Sequence, residues 1–455
     1  MEEAMKLVAG LRVHKGEQGY ILVHPETASW VFLDTDALSI LEPYIENPET
    51  EMANVPPEAL ESLQEAGLVR EKNTGGRPEK ESLRVHIDNA IIRITHRCNL
   101  TCDYCYATSP RETVDLKPEY GKLLVDRLLE MPQDETAIQF HGGEPLLVFD
   151  LVRELSRYGK EVAYSKGKDL TLVIQTNATL LNRERTEFLR KHDFEVGVSL
   201  DGEKATNDLY RRTTGGLGSF DLAMKGIRLL RDERIPIGVN CVVTRKGLKS
   251  LVPNVEFLSE NVSQHIKFTP VYLQRNHPSY HELVPDYHEF YSAMRDLLEY
   301  MVQTGLSKKV HLIDVDHLLI NCLTTRRPYM CLRMPCGAGL NQIAVDARGD
   351  LFPCDAVVGI PTFRLANIAE VTDVHLLLLQ KWVSHHVAKD FEHLNECCSC
   401  NWREFCGHCV ASAYYAYGDQ NRKRGQCEYY KAMIPYLIER IALDDRFREF
   451  RWAEV

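Results

Sequence analysis

The first 97 residues contain no cysteine, and no part of the 455-residue chain approaches the roughly 20 consecutive apolar residues of a membrane-spanning helix. The lack of such a run speaks against a membrane protein, and the acidic start MEEAMKLVAG speaks against a signal peptide. Basic excess is missing as well. Lys and Arg number 54 against 65 Asp and Glu, a formal net charge of −11, so no footprint for nucleic acid or an anionic membrane stands out. Internal repeats and low-complexity tracts are absent. A cytoplasmic protein is expected, in a compartment where structural disulfides are scarce. The fourteen cysteines therefore need another explanation. Three fall at 98–105, two stand alone at 241 and 322, and nine lie between 331 and 427. Clustering of this kind points to metal ligands or redox chemistry. Cys241, mid-strand in VNCVV, is expected to be a buried apolar residue, and Cys322 and Cys398 are expected to be free.

Hydrophobic residues make up 44% and charged residues 26%, enough apolar surface to bury a sizeable core in two or three domains. Residues 1–80 form a first unit. GYILVHP (19–25) and SWVFLD (29–34) predict a hairpin, followed by helices from Thr35 to Ile45 and from Pro57 to Ala66, closed by Gly67. KNTGGRPEKES (72–82) predicts a linker. Residues 88–310 alternate strand and helix, with strands at 90–95, 137–140, 170–176, 195–200, 236–244 and 265–270. Six such units predict an α/β fold with a parallel sheet, open or closed into a barrel, whose functional loops lie at the carboxyl ends of the strands. A helix near 285–304 follows, after which periodicity fades. Residues 311–455 are rich in cysteine, glycine and loops, a segment expected to depend on metal ligation more than on an apolar core.

Directly after the first of these strands stands HRCNLTCDYCY (96–106), with Cys98, Cys102 and Cys105 spaced C-x3-C-x2-C. A closed zinc site wants four ligands. Three thiolates on one short loop suit a four-iron cubane with one iron left open. Zinc completed by His96 or a distant residue, or a redox thiol cluster, stays open on spacing alone.

This stretch, with FHGGEPLL (140–147), QTNATLL (175–181) and SLDG (199–202), resembles the radical S-adenosylmethionine (radical SAM) superfamily over residues 88–310. The resemblance implies a partial (β/α)6 TIM barrel. It also implies SAM chelated by the open iron and split by one-electron reduction into a 5′-deoxyadenosyl radical. Gly142, Gly143 and Glu144 would meet the methionine amino group, Ser199 the ribose, and Arg211, beside Arg212, the carboxylate. Tyr104 would lie against the cofactor.

CLRMPC (331–336), GDLFPC (349–354), CCSCNWREFCGHC (397–409) and Cys427 are similar to the SPASM extension of that superfamily, with Cys406 and Cys409 one residue closer than usual. By that likeness two auxiliary [4Fe–4S] clusters join the first, three in all. Cys336, Cys354 and Cys409 would hold one, with Cys331 either its fourth ligand or, failing that, leaving an iron open to a substrate thiol. Cys397, Cys400, Cys406 and Cys427 would hold the other. Paired zinc knuckles are the competing reading of the same spacing. Asp355, following Cys354 in PCD, would be a general base, or else an ordinary turn residue.

Residues 1–80 resemble the winged-helix RiPP recognition element, which binds the leader of a ribosomally made precursor peptide by adding a strand. The implied activity is a peptide maturase that forms a thioether or carbon–carbon crosslink, reduced by a ferredoxin or flavodoxin. A sulfatase-maturing enzyme and a non-catalytic, zinc-bound peptide-recognition scaffold are the alternatives.

Overall fold

The computed structural model describes residues 5–70, 84–107, 113–324, 327–387, 394–448 and 450. The linker expected at 72–82 lies outside them. The first unit runs β1 (Lys6–Leu7), β2 (Arg12–Lys15), β3 (Tyr20–His24), β4 (Ser29–Leu33), α1 (Thr35–Glu46), α2 (Pro57–Glu65) and β5 (Val69–Arg70). Asp34 caps α1 by accepting from the Ala37 amide at 2.8 Å, and Pro57 opens α2, where its missing N–H costs nothing. The expected hairpin is the β3–β4 pair of a three-stranded antiparallel sheet, β2–β3–β4, while β1 pairs with β5. Strand β2 was missed because RVHK carries no apolar alternation.

The central strand β3 is buried on both faces. Leu22 enters a small core with Leu33, Leu41 and Leu63, whereas Ile21 and Val23 enter the main core of the molecule. The unit is therefore docked as well as self-contained. Trp30 Nε1 donates to the Cys322 carbonyl at 2.5 Å, and the Glu17 and Gln18 amides donate to the buried carboxylate of Glu439.

The central region runs β6 (Asn89–Arg93), α3 (Pro118–Leu129), β7 (Glu135–His141), α4 (Phe149–Lys166), β8 (Asp169–Thr176), α5 (Arg183–Lys191) and β9 (Phe194–Ser199). It continues through α6 (Lys204–Tyr210), α7 (Phe220–Asp232), β10 (Ile237–Val243), α8 (Leu251–Asn261), β11 (His265–Pro270), α9 (Tyr280–Leu283) and α10 (Tyr287–Thr304). All six strands expected in this region are present and pair in parallel in chain order. The strands alternate inward and outward while the helices bury one stripe, the pattern of a sheet covered by crossovers.

The sheet does not stop there. β12 (His311–Leu312) joins β11 in parallel, and after α11 (Ile313–Leu323), β13 (Gln342–Val345) joins the other edge beside β6. β14 (Asp350–Phe352) and β15 (Ala366–Asn367) extend it antiparallel. The order β12–β11–β10–β9–β8–β7–β6–β13–β14–β15 makes ten strands, an open sheet.

Beyond lie α12 (Val374–Leu378), α13 (Arg403–Cys406), α14 (Val410–Tyr417), α15 (Cys427–Leu443) and α16 (Asp445–Arg448). The expectation that this region lacks an apolar core is corrected. Ile343, Phe352, Phe405, Met433, Leu437 and Ile441 are all buried in the main core. Helix α15 packs on α10, with Phe290 against Tyr429 at 4.9 Å and Arg440 paired to Glu299 at 3.0 Å. No helix among the described residues is long and apolar enough to cross a membrane.

Candidate active site

The carboxyl ends of the parallel strands open on a cavity of about 420 Å³. Its rim begins where the chain leaves β6. Arg97 grips Asp115 with two hydrogen bonds of 2.9 and 2.6 Å, and the Thr101 amide donates to the Arg212 carbonyl at 2.7 Å. Cys98 lies between these anchors, and Cys102 and Cys105 follow the second.

The loop after β7 lies directly against this segment. The Gly143 amide donates to the Thr95 carbonyl and the Glu144 amide to the Arg97 carbonyl, both at 2.8 Å. Glycine is required at both positions. A Cβ on Gly142, at φ +136°, would stand 2.4 Å from the Thr95 oxygen, and one on Gly143 would stand 1.9 Å from the Arg97 oxygen. Gly143→Ala must push the cysteine loop outward. It is expected to destabilise the site by ~1–3 kcal/mol, the usual cost of forcing an extra carbon into a closely packed position, and to reduce the iron retained by the purified protein, measured by colorimetric iron assay.

Glu144 is buried and already engaged. It accepts from Thr176 Oγ1 at 2.6 Å, the Asn177 amide at 2.8 Å and the Leu146 amide at 3.0 Å, tying the end of β7 to the end of β8. Burial raises its pKa, and these hydrogen bonds oppose the rise. It lines the cavity together with Gly142, Gly143, Tyr104, Ser199 and Arg211. Ser199 accepts from Gln175 Nε2 at 2.9 Å. Arg211, not the half-buried Arg212, turns inward. It pairs with Asp201 at 3.0 Å and stacks 5.5 Å over the Tyr104 ring, and the Tyr104 hydroxyl donates to the same Asp201. Asp201 also accepts from the Val242 amide at 3.0 Å. This buried carboxylate organises the wall, and sequence reasoning assigned it no role.

Burial pushes the Cys98 thiol up to about 11 and Cys102 up to about 12, and the nearby Cys105 adds to the rise of both. The remaining cysteines fall into two groups. Cys354 stands within electrostatic reach of Cys331, Cys336 and Cys409. Cys397 stands within reach of Cys400, Cys406 and Cys427. Helix ends fix several of them: Cys409 caps α14, its Sγ accepting from the Ser412 amide at 3.4 Å, Cys406 closes α13 and Cys427 opens α15. Burial raises Cys336 and Cys397 to about 12 and Cys406 to about 11, so these sites suit thiolates only when a cation compensates them. Cys331, Cys354 and Cys409 line the same cavity as Cys98 and Cys102, whereas Cys397, Cys400, Cys406 and Cys427 line a separate small pocket. Among the described residues no set of three His, Cys, Asp or Glu side chains has the arrangement of a single-ion site. Cys241 and Cys322 are buried, and Cys398 is exposed with its thiol directed to the Asn395 carbonyl.

Asp355 is buried and firmly held. It is not among the residues that line the cavity, and both its oxygens are occupied. Arg93 Nε binds Oδ1 at 2.6 Å, Arg93 Nη2 donates to its carbonyl at 2.7 Å, and the Tyr106 hydroxyl donates to Oδ2. Burial opposes ionisation, but Arg93 and His141 outweigh it and hold the carboxyl well below the usual carboxylate range. A carboxylate so held is a weak base. The opposite wall carries a group the sequence did not flag. Lys267 donates to Tyr329 Oη at 2.8 Å and faces Asp314 at 3.6 Å. A lysine set between the buried Ile266 and Phe268 was the available signal.

Residues 92–248 match the family model described as the radical SAM superfamily. An uncharacterised protein of Archaeoglobus fulgidus is 30% identical over 83% of this chain and 87% of its own length. A cysteine-type anaerobic sulfatase-maturating enzyme of Clostridium perfringens is 26% identical over 76% and 94%. A solved structure described as native anSMEcpe with bound AdoMet and Cp18Cys peptide superposes with a TM-score of 0.69 at 22% identity, over 78% of this chain and 98% of that one. SuiB of Streptococcus suis bound to the precursor peptide SuiA superposes with a TM-score of 0.55 at 15% identity, over 92% and 98%. The fold, the three-cysteine loop after β6 and these matches lead to one conclusion: this chain is an enzyme of the radical SAM superfamily.

Proposed function

We propose that the enzyme modifies a ribosomally made precursor peptide, forming a thioether or carbon–carbon crosslink. The observation that carries this reading is the single cavity lined at once by Cys98 and Cys102 and by Cys331, Cys354 and Cys409. A peptide side chain placed there meets two redox-capable sites. Cys98, Cys102 and Cys105 would hold a cubane, and SAM bound to it supplies a 5′-deoxyadenosyl radical. Gly142, Gly143, Ser199 and Arg211 shape the wall that receives the cofactor. Tyr104 and Asp201 hold Arg211 inward, and Glu144 locks the β7 and β8 loops together. The largely apolar lining, with Phe268, Tyr272, Phe290 and Tyr329 among it, limits water at the reacting side chains. Cys331, Cys336, Cys354 and Cys409 would hold a first auxiliary cubane, and Cys397, Cys400, Cys406 and Cys427 a second. These auxiliary cubanes would take up the remaining electron, while a ferredoxin or flavodoxin would supply the one that reduces the SAM-binding cubane. The bound Asp355 weakens the sulfatase-type reading, because the PCD aspartate is not placed as a base.

The test is anaerobic incubation with SAM, dithionite and the short peptide encoded beside the gene. A product lighter by a pair of hydrogens per crosslink supports the reading, and an unchanged peptide mass with active SAM cleavage sinks it. Wild-type protein is expected to carry about twelve irons per chain, four for each of three cubanes. Cys354→Ala or Cys427→Ala is expected to drop this to about eight. Zinc in place of iron would leave only the scaffold alternative.

The leader would add a strand to the β2–β3–β4 sheet of a recognition element formed by residues 1–80. Both outer strands, β2 and β4, have one edge with no strand partner among the described residues, and Val13 on β2 is an exposed apolar residue there. Deleting the unit would strip Ile21 and Val23 from the main core, so hydrogen–deuterium exchange on the intact enzyme is the cleaner probe. Precursor peptide is expected to slow exchange at amides of β2 or β4. Unaltered exchange across residues 12–33 at saturating peptide would refute strand addition.

A further inference from the structure

Arg424 stands in the wall shared by the two cavities. It borders the main cavity, with Cys331, Cys354 and Cys409, and also the small pocket of Cys397, Cys400, Cys406 and Cys427. It is 5% exposed, yet no carboxylate pairs with it among the described residues. Its Nη1 donates to the Cys406 carbonyl at 2.7 Å, reaches the Cys331 carbonyl at 3.5 Å and comes within 3.9 Å of Cys406 Sγ. It thus touches one residue from each quartet. The guanidinium packs 4.0 Å over the Tyr430 ring, and its Nε has no hydrogen-bond partner.

A buried guanidinium without a counter-charge costs several kcal/mol. The ring of Tyr430 offsets a small part of this. The thiolates of the two quartets supply the missing negative charge, since a cubane held by four thiolates is anionic and its potential follows net charge and hydrogen bonding to sulfur. We propose that Arg424 is the shared counter-charge of both auxiliary quartets and raises the reduction potential of each cluster they hold. The inference rests on the reading that each quartet holds a cubane. One cation placed between two anionic groups favours the reduced, more negative state of either. The unpartnered Nε is a donor waiting for an acceptor that a cluster sulfur provides.

The experiment compares reconstituted full-length wild type, Arg424→Lys and Arg424→Gln by iron analysis and by redox titration monitored through paramagnetic resonance. In Arg424→Gln, iron content is expected to be unchanged, and the reduced-to-oxidised ratio of both auxiliary clusters at a fixed applied potential is expected to fall at least tenfold, about 59 mV for a one-electron couple. Arg424→Lys keeps the charge and is expected to stay within threefold of wild type. Arg424→Gln with full iron and unmoved potentials overturns the proposal, and so does a shift confined to one auxiliary cluster. If Arg424→Gln loses iron, Arg424→Lys decides: ratios near wild type support the charge role, and a tenfold fall there refutes it. Iron for a single cluster in wild type would instead remove the auxiliary-cluster reading itself, and this inference with it.

Discussion

With Cys98, Cys102 and Cys105 all changed to alanine, anaerobic incubation with SAM and dithionite releases 5′-deoxyadenosine no faster than a protein-free control. The expected loss is complete, not fractional. When the group that supplies the chemistry has no ligands, an enhancement of at least about 10⁶-fold goes with it. The rest of the site is built to survive the change. Arg97 still grips Asp115, the Gly143 and Glu144 amides still hold the Thr95 and Arg97 carbonyls, and the Thr101 amide still meets the Arg212 carbonyl. The thiols contribute no hydrogen bond that these anchors need. Iron analysis of the same variant separates ligation from misfolding: about eight of about twelve irons should remain if the auxiliary quartets fill independently. Wild-type turnover in this variant would end the assignment of the loop.

The parallel strands were legible because most of them place buried residues at alternate positions between turn signals. The three-cysteine loop was legible because its ligands sit within eight residues of one another. What escaped was made by distant partners. Asp201 meets Tyr104 across 97 positions, and Arg93 meets Asp355 across 262. No local spacing encodes such pairs. Arg424 escaped for a different reason, since an arginine beside a lysine in NRKRGQC reads as solvated charge until its neighbours are known. The C-terminal helices were hidden by the cysteines around them. Helix α15 carries Tyr429, Met433, Ile434, Leu437, Ile438 and Ile441 on buried positions, but Pro435 and the preceding loops break the pattern a reader looks for. Strands β13 to β15 are two to four residues long, below the length at which alternation can be seen. The expectation of metal ligation in place of an apolar core fails for this region, which has a core whatever the metal does.

Asp355→Ala is expected to lower stability by about 3–5 kcal/mol, the cost of leaving a buried guanidinium without its partner. The side chains of Arg93 and Asp355 are 6% and 11% exposed, so solvent screens the pair little. The pair joins β6 of the parallel sheet to the segment after β14, and so couples the cysteine loop to the Cys354 site. Urea denaturation under anaerobic conditions measures the loss. Arg93→Met together with Asp355→Leu should recover most of it, because replacing both partners removes the uncompensated charge. The pH dependence follows from the sign of the shift. The folded-state carboxyl is depressed relative to its unfolded value near 3.9. Its contribution is therefore full above that value and is lost as the pH falls below it toward the folded-state value, a slope that the Asp355→Ala variant lacks. The same variant series tests the general-base role. Asp355→Asn keeps the shape but not the charge. A bracing residue loses stability in that variant while the pH–rate profile of the surviving enzyme stays put. Wild-type stability combined with a collapse of turnover and a displaced profile would return the carboxylate to the chemistry.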